Sequence, residues 1–194
     1  MAINRLNVSL SGVQPGGLAK VVPSSVAVGS GSGSVDSNGT VTFSGASSVS
    51  LNDVFTSNYD SYKIILRVTS VSTALDVRLR YRISGSDNST SNYYGTWIAV
   101  NTVSDATLYM RSGVQTAGYL TTQNSSASKT WSFDVHNPKL SIPTYLMGHM
   151  MDGGSLVAYN GGVGFNLGTS FDSITFLTST GTMTGDVRVY GYTN

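Results

Sequence analysis

The chain has 194 residues, a formal net charge of +1 and only 11% charged residues, with four Lys, no Glu and no Cys. That length suits one folded body. The missing cysteines exclude disulfides, thiolate metal sites and a thiol nucleophile, and the even charge without a Lys/Arg block removes the phosphate attraction on which nucleic-acid binding rests.

In chain order, residues 1–10 carry one Arg among isolated apolar residues, which is not the pattern of a secretory signal. Nothing in the chain approaches the ~20 apolar residues of a membrane span, so a soluble product made in the cytoplasm is expected, with neither membrane nor nucleic acid among its partners. Residues 1–40 read as an extended arm. Gln14-Pro15-Gly16-Gly17, Pro23-Ser24-Ser25 and Gly29-Ser30-Gly31-Ser32-Gly33-Ser34 punctuate short apolar runs. A Gly/Ser chain buries too little apolar area to offset its ordering entropy, so this arm is expected to order against a partner, with Leu18, Val21, Val22, Val26 and Val28 filling small pockets there.

Residues 41–194 read as one β domain. Val41 to Phe43 and Val49 to Leu51 open it, and one helical turn is expected over Leu51 to Phe55. Tyr62 to Val68 alternates apolar and polar residues with Ile65 as an exception, and Leu75-Asp76-Val77-Arg78-Leu79-Arg80-Tyr81-Arg82-Ile83 alternates throughout, the pattern of a half-buried strand. Thr96 to Val103, Thr107 to Met110, Gly118 to Thr121, Trp131 to Val135, Tyr145 to Met151, Leu156 to Tyr159, Ile174 to Leu177 and Val187 to Val189 continue the series. Turn residues separate them, among them Gly85-Ser86-Asp87-Asn88 and Asp152-Gly153-Gly154. Roughly eight to ten short strands with no helical period between them predict an all-β fold, an antiparallel two-sheet β-sandwich of jelly-roll type. Half-wet strands fit antiparallel sheets, whereas buried parallel strands would be continuous Val/Ile/Leu runs.

The chemistry-bearing residues are few. His136 and His149 match no metal-ligand spacing, no Gly-x-Ser-x-Gly elbow is present, and Gly161-Gly162-Val163-Gly164 lacks phosphate-loop spacing and reads as a flexible connection. No catalytic residue, cofactor or metal ligand is therefore assigned, and the chain is not expected to be an enzyme. Two surfaces stand out. Tyr93, Tyr94, Trp97 and Tyr109 lie beside polar loop residues, where aromatic side chains serve the core, an oligomer interface or a glycan site. Arg78, Arg80 and Arg82 form a row on one strand face that needs acidic company, from Asp76, from counterions or from a neighbouring subunit.

Three stretches carry a resemblance: Val35-Asp36-Ser37-Asn38-Gly39-Thr40-Val41-Thr42-Phe43-Ser44-Gly45; Val49 to Phe55 with Tyr59-Asp60-Ser61-Tyr62-Lys63-Ile64-Ile65; and Phe171 to Phe176 with Gly185 to Tyr192. They resemble modules of bacteriophage virion structural proteins, found in tail fibres and in proteins that decorate or cement capsids. The resemblance spans most of residues 35–192. It implies an accessory virion protein, a homotrimer attached through its arm to the major capsid protein or another virion protein. The alternative it leaves open is a tail-fibre or receptor-binding tip recognising host surface glycans.

Overall fold

The computed structural model describes residues 17–100, 107–123, 128–153 and 157–193. Two antiparallel sheets pack face to face, and among the described residues there is no helix. The strands are β1 (Gly17–Val21), β2 (Ser25–Val28), β3 (Ser32–Val35), β4 (Val41–Ala46), β5 (Ser48–Asn52), β6 (Ser61–Val71), β7 (Leu75–Ile83) and β8 (Ser86–Asp87). The second half adds β9 (Tyr93–Val100), β10 (Thr107–Gln115), β11 (Gly118–Gln123), β12 (Lys129–His136), β13 (Thr144–Asp152), β14 (Val157–Phe165), β15 (Ser173–Thr178) and β16 (Met183–Thr193). The larger sheet runs β10-β9-β14-β13-β12-β6-β16-β4-β3, with β1 also on β16; the smaller runs β11-β7-β15-β5-β2, with β8 beside β7.

The alternation seen in the sequence builds the core. In β9 and β12, every second residue from Tyr93 and from Lys129 is buried, because successive side chains of a strand point to opposite faces. Trp97, Trp131, Tyr62, Tyr81 and Tyr93 are among the largest fully buried side chains. Tyr81 stacks on Phe171 at 4.9 Å between ring centroids, and Phe171 meets Phe165 edge-on at 5.1 Å, the offset and T-shaped contacts that aromatic quadrupoles favour. The stretches that carry the phage resemblance supply core residues, including Phe43, Val49, Leu51, Phe55, Tyr62 and Phe176.

The expected arm is corrected over its described part. Residues 17–35 are strands of the chain's own sandwich: β1 pairs with β16, β2 with β5 and β3 with β4. Three sheet edges thus supply the main-chain partners that a Gly/Ser segment lacks when alone. Val21 is buried in the core, and Val26 and Val28 pack half-buried against it, so these three do not wait for a partner's pockets. Gly31 shows why glycines recur here. It has φ 67°, and a Cβ at this position would lie 2.0 Å from the Ser44 carbonyl oxygen, so the run is a tight turn rather than a linker. Residues 1–16 of the expected arm lie outside the described residues.

Two other expectations change. Gly161 to Gly164 is strand, the second half of β14, not a flexible connection. A Cβ at Gly161 would sit 2.1 Å from the Thr96 carbonyl oxygen, and one at Gly162 would sit 2.4 Å from that of Leu146; glycine is required because neighbouring backbones come close. No helical turn forms over Leu51 to Phe55, because β5 continues to Asn52 and Asp53 then turns with φ 56°.

Candidate functional site

The two outer faces of the sandwich differ in kind. On the smaller sheet, the Arg row of β7 has its acidic company within the chain, two carboxylates for three guanidinium groups. Arg78 meets Asp76 at 2.8 Å, Arg82 meets Asp87 at 3.2 Å, and Arg80 lies 4.0 Å from Asp87 while its Nε donates to the Thr116 carbonyl at 2.9 Å. The Asp87 carboxylate also accepts from the Thr175 hydroxyl at 2.6 Å, and Thr175 bonds Ser50 at 2.9 Å. The two-residue strand β8 brings Asp87 over this row, which answers the demand for acidic company without a second subunit.

The larger sheet is unlike this. Register carries four outward rows across β9, β14, β13 and β12: Val100, Ala158, Met151 and Thr130; Ile98, Asn160, His149 and Ser132; Thr96, Gly162, Met147 and Asp134; and Tyr94, Gly164, Tyr145 and His136. Val100, Ile98, Met147 and Met151 are 47%, 46%, 61% and 53% exposed. Large apolar side chains normally gather this way on a soluble surface where something covers them. At the end of the same strands, Leu140, Ile142 and Leu167 are exposed on the loops that follow β12 and β14. The unbranched thioethers of Met147 and Met151 can fit several partner shapes.

Further along the same face the surface is polar and paired. Lys63 on β6 meets Asp134 on β12 at 2.9 Å, the Tyr192 hydroxyl also donates to Asp134, and Ser61 bonds His136 Nδ1 at 3.1 Å. Burial pushes the Asp134 carboxyl up, but the hydrogen bonds from Tyr192 and Lys63 outweigh it and hold the group below its ordinary value. Arg67 and Arg188 close over Asp186, with Arg67 Nε donating to it at 2.6 Å.

The residues singled out in the sequence therefore divide. Tyr93 and Trp97 are corrected: both are buried and face the core. The Tyr93 hydroxyl donates to the Asn88 carbonyl at 2.9 Å and accepts from the Tyr81 amide at 3.0 Å, while Trp97 Nε1 donates to the Tyr119 carbonyl at 2.9 Å and so bridges the sheets. Tyr94, from the same strand, is exposed on the outer face. Tyr109 pairs with Trp97 across β10 and β9, and its side chain lies outside the described residues. Leu18 and Val22 are exposed, at 48% and 50%. Sequence reading found β13 and β9 as strands but passed over Met147, Met151, Ile98, Val100 and Tyr145. The available signal was that both parities of these strands are apolar, which one core cannot use.

No protein-family model matches the chain, and no curated protein sequence does. Among solved structures, it is similar to the fourth domain of an extracellular arabinanase of glycoside hydrolase family 43 from Geobacillus stearothermophilus, in complex with arabinotriose. That overlap has 16% identity, 96% coverage of this chain and 87% of the other, and a TM-score of 0.34. A protein of unknown function from Shewanella oneidensis overlaps with 7% identity, 98% and 84% coverage and a TM-score of 0.25. At TM-scores this low, neither likeness bears on what this chain does.

Proposed function

We propose that the chain is a non-enzymatic accessory structural protein of a bacteriophage particle, which docks on a neighbouring virion protein through the apolar outer face of β9, β14 and β13. One observation carries the reading: Ile98, Val100, Met147 and Met151 stand exposed together on one outer face, around Asn160 and His149, whereas the Arg row of the smaller sheet and Lys63 are ion-paired within the chain. Phage origin rests on the resemblance of residues 35–192. Docking through a sheet face takes the place of attachment by residues 17–35, because these are committed to the chain's own edges. A homotrimer set against the major capsid protein remains the assembly that suits this role.

The test is incorporation into particles. Met151→Asp places a charge within the block, between Ala158 and Thr130 and without touching the core, so the variant should melt like the wild type yet be missing from purified virions by quantitative mass spectrometry. Incorporation at the wild-type copy number would overturn the reading. Hundreds of wild-type copies on the head would support decoration of the shell, and a few copies at the tail would support the fibre position.

A further inference from the structure

The outermost row of the larger sheet differs from the apolar block beside it. Register sets Tyr94, Gly164, Tyr145, His136 and Ser61 side by side across β9, β14, β13, β12 and β6. Gly191 pairs with Tyr62, which places the next residue, Tyr192, beside Ser61. The six positions thus form one line across six strands. With neighbouring strands about 4.8 Å apart, the line is roughly 24 Å long.

Its chemistry alternates. Tyr94 and Tyr145 are 38% and 49% exposed, with Gly164 between them. A Cβ at Gly164 would meet the Tyr145 ring at 3.7 and 3.9 Å, so the ring leans over the glycine and along the sheet rather than away from it. The Tyr94 hydroxyl accepts from Asn166 Nδ2 at 3.3 Å, and beyond Tyr145 come the Ser61–His136 pair and the phenol of Tyr192. Ring surfaces in register with hydroxyl, imidazole and amide groups suit a ligand that is apolar on its faces and polar at its rim. Lys63 and Asp134 of the neighbouring row are paired 2.9 Å apart, the row itself holds no Lys or Arg, and the exposed Asp60 beside Ser61 disfavours an anionic ligand.

We infer that this row is a binding site for a neutral, unbranched oligosaccharide lying across the strands, with sugar rings stacked on Tyr94 and Tyr145 and hydroxyls served by His136, Ser61 and Tyr192. The repeat of a pyranose chain is close to the strand spacing, so about one ring falls on each strand. This site goes beyond the docking role and uses different residues: the apolar block is Ile98, Val100, Met147 and Met151, none of them in the row.

The experiment is a titration of the full chain with a panel of neutral α- and β-linked hexaoses (maltohexaose, cellohexaose, laminarihexaose and a β-mannohexaose), read by calorimetry and by tyrosine fluorescence. At least one should bind. Tyr145→Ala should weaken it about tenfold or more, the loss of one stacking surface, whereas Tyr145→Phe should retain most of the affinity. Both variants should melt like the wild type, since the side chain lies outside the core. Met151→Asp, at the far end of β13 from Tyr145, should leave sugar binding intact even while it abolishes incorporation into particles, which separates the two proposals. Absence of binding across the panel, or equal affinity for Tyr145→Ala and the wild type, would overturn the inference.

Discussion

Lys129 offers the sharpest test of how the sandwich is held. It begins β12, opposite Asp152 at the end of β13, and both side chains are almost fully buried, at 2% and 6% exposed. Its ammonium lies 3.1 Å from the Asp152 carboxylate and donates to the Thr122 carbonyl of β11 at 2.6 Å, so one cation joins the two sheets. Lys129→Met removes the charge and keeps much of the volume. The buried carboxylate then loses its cation, and losing one member of such a buried pair costs about 3–5 kcal/mol. For a chain of this size that is a fall in Tm of roughly 6–20 °C. Adding Asp152→Leu removes the remaining buried charge, and the double variant should recover most of the loss, because an apolar pair of similar volume is often as stable as a buried ion pair. Thermal melts by circular dichroism, with urea midpoints at constant slope, measure all three variants. A loss below about 1 kcal/mol in the single variant, or no recovery in the double one, would refute the reasoning.

Trp97→Phe should lower the unfolding free energy by about 0.5–1.5 kcal/mol for the lost hydrogen bond between the sheets, with a further term for the space left, shift the urea midpoint down accordingly, and leave any surface binding unchanged. An unchanged midpoint would put the indole outside the core. Deleting residues 1–35 should not yield a well-behaved sandwich: it removes Val21 from the core, at about 1.5–3 kcal/mol, and opens the edges of β16, β5 and β4 to other chains. Size-exclusion chromatography should show aggregates, and a monodisperse monomer with the wild-type Tm would contradict the pairing described. Because the Asp134 carboxyl is held low, its share of stability is present above the ordinary carboxylate range and fades as pH falls through the depressed value. Asp134→Asn should therefore flatten the acid limb of the stability curve in urea titrations, and an unaltered limb would count against the network with Lys63 and Tyr192.

The sandwich was legible in the sequence wherever one face of a strand was wet. Leu75 to Ile83 and Trp131 to Val135 show that alternation, and both lie in half-buried strands. What was not legible follows from what a glycine or an outer face conceals. Gly29 to Ser34 and Gly161 to Gly164 have linker composition, and the close backbone approaches that order them depend on partners far away in sequence, such as Ser44 and Thr96. Trp97 looked like a surface aromatic because it follows a polar loop and Thr96, yet its parity in β9 is the buried one, shared with Tyr93. The acidic company of Arg80 and Arg82 came from Asp87, five residues beyond Arg82, which a two-residue strand folds back over them. Tyr145 and Met147 carry no motif at all. They acquire meaning only once register lines them up with Tyr94, Gly164 and Ile98 on one face.

Methionine oxidation tests the central claim most directly, because Met147 and Met151 are 61% and 53% exposed while Met150 and Met183 are buried and serve as internal references. Free protein and intact particles would be treated with the same low dose of hydrogen peroxide and compared by mass spectrometry. The docking account predicts that Met147 and Met151 oxidise readily in the free chain and are shielded in the particle. Equal oxidation of both residues in the two states would show that this face meets nothing there.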